Sequence, residues 1–200
     1  RQLFARNRHS VDVSQRQIVQ TFYRVKTSLE IIFLIALVET NKPNVTYAIR
    51  TQAGSTAKGQ PKINQDNYIA IEQIGDFEDR FLFGVYDGHG ETGHLITEFI
   101  KETLPGMFFA SAFASQNFIK IELLVGDPNF SQNPRKSFPT AYELCDRKLH
   151  LADFGSTYSG STAVSVLING GKLTVANTGD SRAVMGRLKK GRFYNSRAFC

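Results

Sequence analysis

The sequence predicts an α+β fold, and three observations carry that expectation. Residues 68–71 and 81–86 are short apolar runs joined by a polar connection, which reads as an antiparallel hairpin. Residues 92–104 and 140–149 repeat apolar side chains at helical spacing. A second strand pair follows, 164–168 and 173–177, joined through Asn169-Gly170-Gly171, a strong hairpin signal. Strand pair, helices, then strand meander is the order of a chain whose helices and strands segregate.

Two hundred residues, 42% hydrophobic and 21% charged, suit one globular domain with tails. The net charge of +6 is unevenly placed. Residues 1–26 hold six Lys/Arg against Asp12 alone, a net of +5. Residues 182–200 hold six and no acid, which leaves 27–181 at −5. Basic ends suit solvated termini, or contact with nucleic acid or an anionic membrane surface. An acidic middle suits divalent cations. The two cysteines, Cys145 and Cys200, are far apart and form no disulfide framework, which fits a reducing compartment.

In chain order, residues 1–27 are polar and basic without a clear period. Residues 29–38 are apolar but too short to span a bilayer, which needs about 20 residues. They read as a buried helix or strand, with a membrane-surface contact as a lesser alternative. Residues 51–62 read as a loop that delivers Asn64-Gln65-Asp66-Asn67 to the first hairpin strand. Residues 75–79 form its turn. Residues 81–86 contain no polar side chain except the Tyr86 hydroxyl and read as a strand buried on both faces. Asp87-Gly88-His89-Gly90 then predicts a turn. The hairpin brings Asp66 and Asp87 to the same end of the sheet.

Leu95, Ile96, Phe99 and Ile100 give the first helix an apolar face, and Pro105 is expected to stop it. Residues 107–138 read as a helix start followed by a loop. Thr140 with Glu143 resembles a capping box opening a second helix, which turns Tyr142, Leu144, Cys145 and Leu149 inward. After the meander, residues 178–182 form a turn and a further strand begins at Ala183.

Two carboxylates at one sheet end can seed a site for a hard cation, which prefers oxygen ligands. Asp66 and Asp87 supply the charge, and Gly88 can offer its unshielded carbonyl. His89 stands where an imidazole can protonate a leaving oxygen. Asp180, on another turn, can join the cluster. Each also has a purely structural reading: Asp66 and Asp180 as turn formers, His89 as a surface histidine. His89 and His94 are not spaced for zinc.

Asn64-Gln65-Asp66, Val85-Tyr86-Asp87-Gly88-His89-Gly90, Ser159-Gly160-Ser161-Thr162-Ala163 and Ala176-Asn177-Thr178-Gly179-Asp180-Ser181-Arg182-Ala183 stand in that order. Together they resemble the motifs of the PPM/PP2C family of metal-dependent protein serine/threonine phosphatases. The resemblance implies an α-β-β-α sandwich with two Mg²⁺ or Mn²⁺ ions per site. It implies that Asp66 and Asp87 are metal ligands, with Asp87 bridging, and that Gly88 ligates through its carbonyl. It implies that His89 is the general acid and that Asp180 serves an additional, weaker metal position. The activity implied is hydrolysis of phosphoserine and phosphothreonine on proteins by a metal-activated water.

The pattern departs from the family in three places. Gln65 stands where many members have glutamate. The family's phosphate-binding arginine has no match here; Lys62 and Lys58 are the nearest cations, and Lys62 is the candidate. The family's domain also runs on beyond the Gly-Asp-Ser-Arg strand to two more metal-binding aspartates, whereas nothing after Asp180 is acidic. The expected organisation is an N-terminal extension at 1–47, a partial, apparently truncated phosphatase domain at 48–187 and a basic tail at 188–200. The expected partner is a phosphoprotein substrate, with no nucleic acid and no transmembrane span, in the cytoplasm or nucleus. Poor activity is expected of this chain alone, and the alternative is a catalytically dead pseudophosphatase that binds phosphoproteins.

Overall fold

A computed structural model of the chain describes residues 18–24, 30–38, 44–74, 77–109, 133–152, 155–170, 172–189 and 192–199. Ten strands and two long helices are present among them: β1 (Ile18–Arg24), β2 (Glu30–Val38), β3 (Asn44–Gln52), β4 (Asp66–Ile74), β5 (Phe77–His89), α1 (Gly93–Phe109), α2 (Pro134–Leu151), β6 (Gly160–Ser161), β7 (Ala163–Asn169), β8 (Lys172–Thr178), β9 (Ala183–Lys189) and β10 (Arg192–Phe199). The α+β expectation holds. One sheet runs β4-β5-β7-β8, with β6 pairing the end of β5. The other runs β10-β9-β1-β2-β3, all neighbours antiparallel. It therefore draws strands from residues 1–47 and from 188–200 as well as from the middle of the chain.

The first sheet is the centre of the molecule because β5 and β7 are apolar on both faces. Alternation along a strand sends successive side chains to opposite sides. Leu82 and Tyr86 of β5 pack with Ile96, Leu104, Phe108, Phe138 and Cys145 of the helices. Phe81, Phe83 and Val85 pack with Val164, Val166 and Ile168, against Val45, Tyr47 and Ile49 of β3. The described residues thus form helix, sheet and sheet layers, with all long helices on one side.

Several element boundaries differ from the sequence expectation. The strand read over 81–86 continues through Asp87, Gly88 and His89. Ser161 and Gly160 pair with Gly88 and His89 and hold them extended. The turn begins only at Gly90, whose φ of +82° suits glycine. Helix α1 runs through Pro105 instead of stopping there. Pro105 forfeits one backbone hydrogen bond, and burial of Leu104, Met107 and Phe108 offsets that loss. Leu95, expected on the apolar face, is 42% exposed, while Ile96 is fully buried.

Helix α2 opens at Pro134 after Asn133, six residues before the expected capping box. Proline at the first helical position lacks only an N–H that has no helical partner anyway. Thr140 therefore sits inside the helix, its hydroxyl donating to the Lys136 carbonyl. Cys145 and Leu149 do face the core, with Tyr142 and Leu144 half-buried beside it. The apolar run at 30–38 is a strand rather than a helix. Gly75-Asp76 of the hairpin turn, residues 110–132 of the expected loop, Gly171 and Cys200 lie outside the described residues.

Candidate metal centre

The β4–β5 ladder places Asp66 directly opposite Asp87. Asp66 has the same parity as Tyr68 and Ala70, and Asp87 the same as Phe81, Phe83 and Val85, all of which face the second sheet. Both carboxylates therefore stand at the end of the layer between the sheets, where apolar packing gives out. They are 8% and 6% exposed. No N–H or O–H of the described chain reaches either oxygen of the Asp66 carboxylate. Burial raises the Asp66 carboxyl to about 7, and the facing Asp87 charge pushes the same way. A buried acid whose two oxygens lack a donor, facing a second buried acid, fits a divalent cation, which would relieve the repulsion between them.

The backbone beside them is shaped by close approach. A Cβ on Gly88 would stand 2.6 Å from the Gln65 carbonyl oxygen and 2.6 Å from that of Gly93. Only glycine fits, and it leaves the Gly88 backbone free of side-chain shielding. Gln65 holds the turn beyond it: its Nε2 donates to the Gly90 carbonyl at 2.8 Å, and its own carbonyl accepts from the Thr97 hydroxyl at 2.8 Å. Asn64 ties the two sheets together, its Nδ2 donating to Thr51 Oγ1 at 2.8 Å and its Oδ1 accepting from the Asp66 N–H at 3.2 Å. Asn67 reaches the other way, to Glu98 of α1 at 2.6 Å.

His89 is exposed, and its ring lies against Gly160, where a Cβ would meet Nε2 at 2.8 Å. The Ser-Gly-Ser-Thr segment thus shelves the imidazole. The last residue of that segment, Thr162, makes two bonds to Asp87: its N–H donates to the Asp87 carbonyl at 2.9 Å, and its Oγ1 accepts from the Asp87 N–H at 3.2 Å. The Thr162 hydroxyl also meets that of Ser181 at 2.5 Å, and Ser181 is fully buried. Ser181 and Thr162 were not singled out by the sequence as anything but turn and motif residues. No signal in the sequence joins them, because the two hydroxyls stand 19 residues apart.

Asp180 is exposed on the turn after β8. Its neighbour Gly179 lies against Thr162, with a Cβ there 2.8 Å from Thr162 Cγ2, so the turn is at the site end. Among the described residues, however, no three acidic, His or Cys side chains gather closely enough to hold a metal ion. The carboxylates brought together are Asp66 and Asp87. Lys62 is exposed on the preceding loop, where its N–H donates to the Gly54 carbonyl at 2.8 Å.

Comparison with known proteins agrees with the geometry. Residues 53–196 match the family model described as "Protein phosphatase 2C". The chain is 32% identical over 142 residues to an Arabidopsis thaliana protein named "Probable protein phosphatase 2C 35", covering 71% of this chain and 36% of that one. It is 35% identical over 131 residues to "Probable protein phosphatase 2C 72" of the same plant, covering 66% and 38%. It is 36% identical over 138 residues to "Probable protein phosphatase 2C 64" of Oryza sativa subsp. japonica, covering 68% and 30%. The chain therefore spans about a third of the length of these relatives.

Proposed function

Because the chain belongs to the protein phosphatase 2C family, we propose that the protein hydrolyses phosphoserine and phosphothreonine on proteins at the Asp66–Asp87 end of the sheets. The observation that carries this is the buried carboxylate pair with its orphaned Asp66 oxygens. Asp66, Asp87 and the Gly88 carbonyl would hold Mg²⁺ or Mn²⁺, two ions per site, with Asp180 serving a further position. Such ions polarise a phosphoryl group and acidify water. His89, on its Gly160 shelf, gives a proton to the serine or threonine oxygen as it leaves. Lys62 meets the phosphate as a point charge.

Phosphate release from a phosphoserine peptide by the full-length protein, with and without Mn²⁺ and EDTA, tests the proposal. Release that requires Mn²⁺ and falls on the order of 100-fold in Asp87→Asn is expected. Release indifferent to both would overturn it. Mn²⁺-dependent peptide binding without turnover would instead favour a phosphoprotein-binding pseudophosphatase, a reading suited to a centre that gathers two carboxylates among the described residues.

A further inference from the structure

Gln65 occupies a wedge between three backbone segments. Its carbonyl oxygen lies where a Gly88 Cβ would be, and its Oε1 closes the same space at Gly93. Its Nε2 donates to the Gly90 carbonyl. Thr97, fully inside α1 and 1% exposed, donates to the Gln65 carbonyl and so ties the wedge to the helix. The Gln65 backbone carbonyl, with that of Gly93, leaves no room for a side chain at 88, the Gln65 amide lies against Gly93, and the same amide closes the turn at Gly90.

We propose that Gln65 is a positioning residue: its amide donor fixes the turn after β5 and thereby sets the stance of the Gly88 carbonyl and the His89 imidazole. A carboxylate of the same shape cannot do this, because when ionised it accepts and does not donate. It would turn a negative oxygen towards the Gly90 carbonyl. The site therefore spends this position on geometry rather than on a third charge beside Asp66 and Asp87. The role in turnover rests on the phosphatase reading above; the role in holding the turn does not.

Two variants of the full-length protein separate the donor from the charge. Gln65→Glu keeps the shape, removes the donor and adds charge; Gln65→Met removes the donor alone. Backbone hydrogen exchange over residues 88–93 is expected to quicken by about tenfold in both, the size of one lost hydrogen bond. Turnover of a phosphoserine peptide is expected to fall by about tenfold in kcat in both, with KM within about twofold, since orientation rather than binding is lost. Unchanged exchange in both variants overturns the proposal, as does a change in Gln65→Glu alone, which would trace to charge. If the unmodified protein releases no phosphate, the phosphatase reading fails while the exchange comparison still decides the latch.

Discussion

Asp66 and Asp87 face each other on the last rung of the β4–β5 ladder, both buried, on the side of the sheet that looks at its partner sheet. In the metal-free chain this is a like-charge contact in a poorly solvated place. Replacing Asp66 with Asn keeps the shape and removes one charge. Asp66→Asn is expected to raise the thermal midpoint of the metal-free protein while lowering its Mn²⁺ affinity by at least on the order of tenfold. Differential scanning fluorimetry with and without Mn²⁺ reads both; a midpoint that falls in the metal-free variant would remove the carboxylate pair as the source of strain.

The same pair sets a pH dependence. The Asp66 carboxyl is raised from 3.8 to about 7 in the folded chain. Between those values the folded state keeps a proton that the unfolded state has lost. Stability of the metal-free protein is therefore highest at the acid end of that window and falls as pH rises towards 7. A divalent cation needs the pair deprotonated, so its binding releases protons and strengthens as pH rises. Urea denaturation at pH 5 and pH 8 is expected to favour pH 5 without metal and pH 8 with Mn²⁺. The metal-free difference is expected to shrink in Asp66→Asn; if it persists in full, Asp66 is not its cause.

At Gly88 the obstacle to a side chain is backbone, the carbonyls of Gln65 and Gly93, which cannot swing aside. Gly88→Ala is expected to destabilise the protein by about 1–3 kcal/mol through overpacking. Because the displaced strand carries Asp87 and His89, Mn²⁺ binding is expected to weaken in the fraction that remains folded. Chemical denaturation and metal titration on the same preparation check the two together.

Thr162 joins β5 to the turn that carries Asp180, through the Asp87 N–H and the Ser181 hydroxyl. Valine has the same shape but no oxygen. Thr162→Val is expected to cost about 1–3 kcal/mol by leaving buried polar groups unpaired, while Thr162→Ser keeps the hydroxyl and costs less. Equal stabilities of the two variants, measured by urea denaturation, would mean that the hydroxyl chain contributes nothing.

The hairpin and its facing acids were legible because alternation and a polar turn fix where two consecutive strands meet. The strand's continuation through His89 was not, because its partners Gly160 and Ser161 arrive some seventy residues later and form a strand of two residues. Two helix boundaries differ because tertiary burial outweighs a local signal: Pro105 is carried inside α1 by the buried side chains around it, and α2 opens at Pro134 rather than at the capping box of Thr140 and Glu143. Thr162 and Ser181 were invisible for the same reason as β6: their roles exist only across segments distant in sequence, and a hydroxyl alone does not announce a partner.

The β4–β5 ladder has one irregularity, between Glu72 and Ile74, where Gln73 takes a φ of +56°. Six consecutive pairs, from Glu72–Phe81 to Asn67–Tyr86, separate it from the carboxylates. A slip of one residue would send one acid to the helix side of the sheet. The bulge absorbs mismatch at the hairpin's closed end, so changes in length there are damped before they reach the open end. The chain can thus vary the loop that joins the two strands while the pairing that aims its two acids stays in phase.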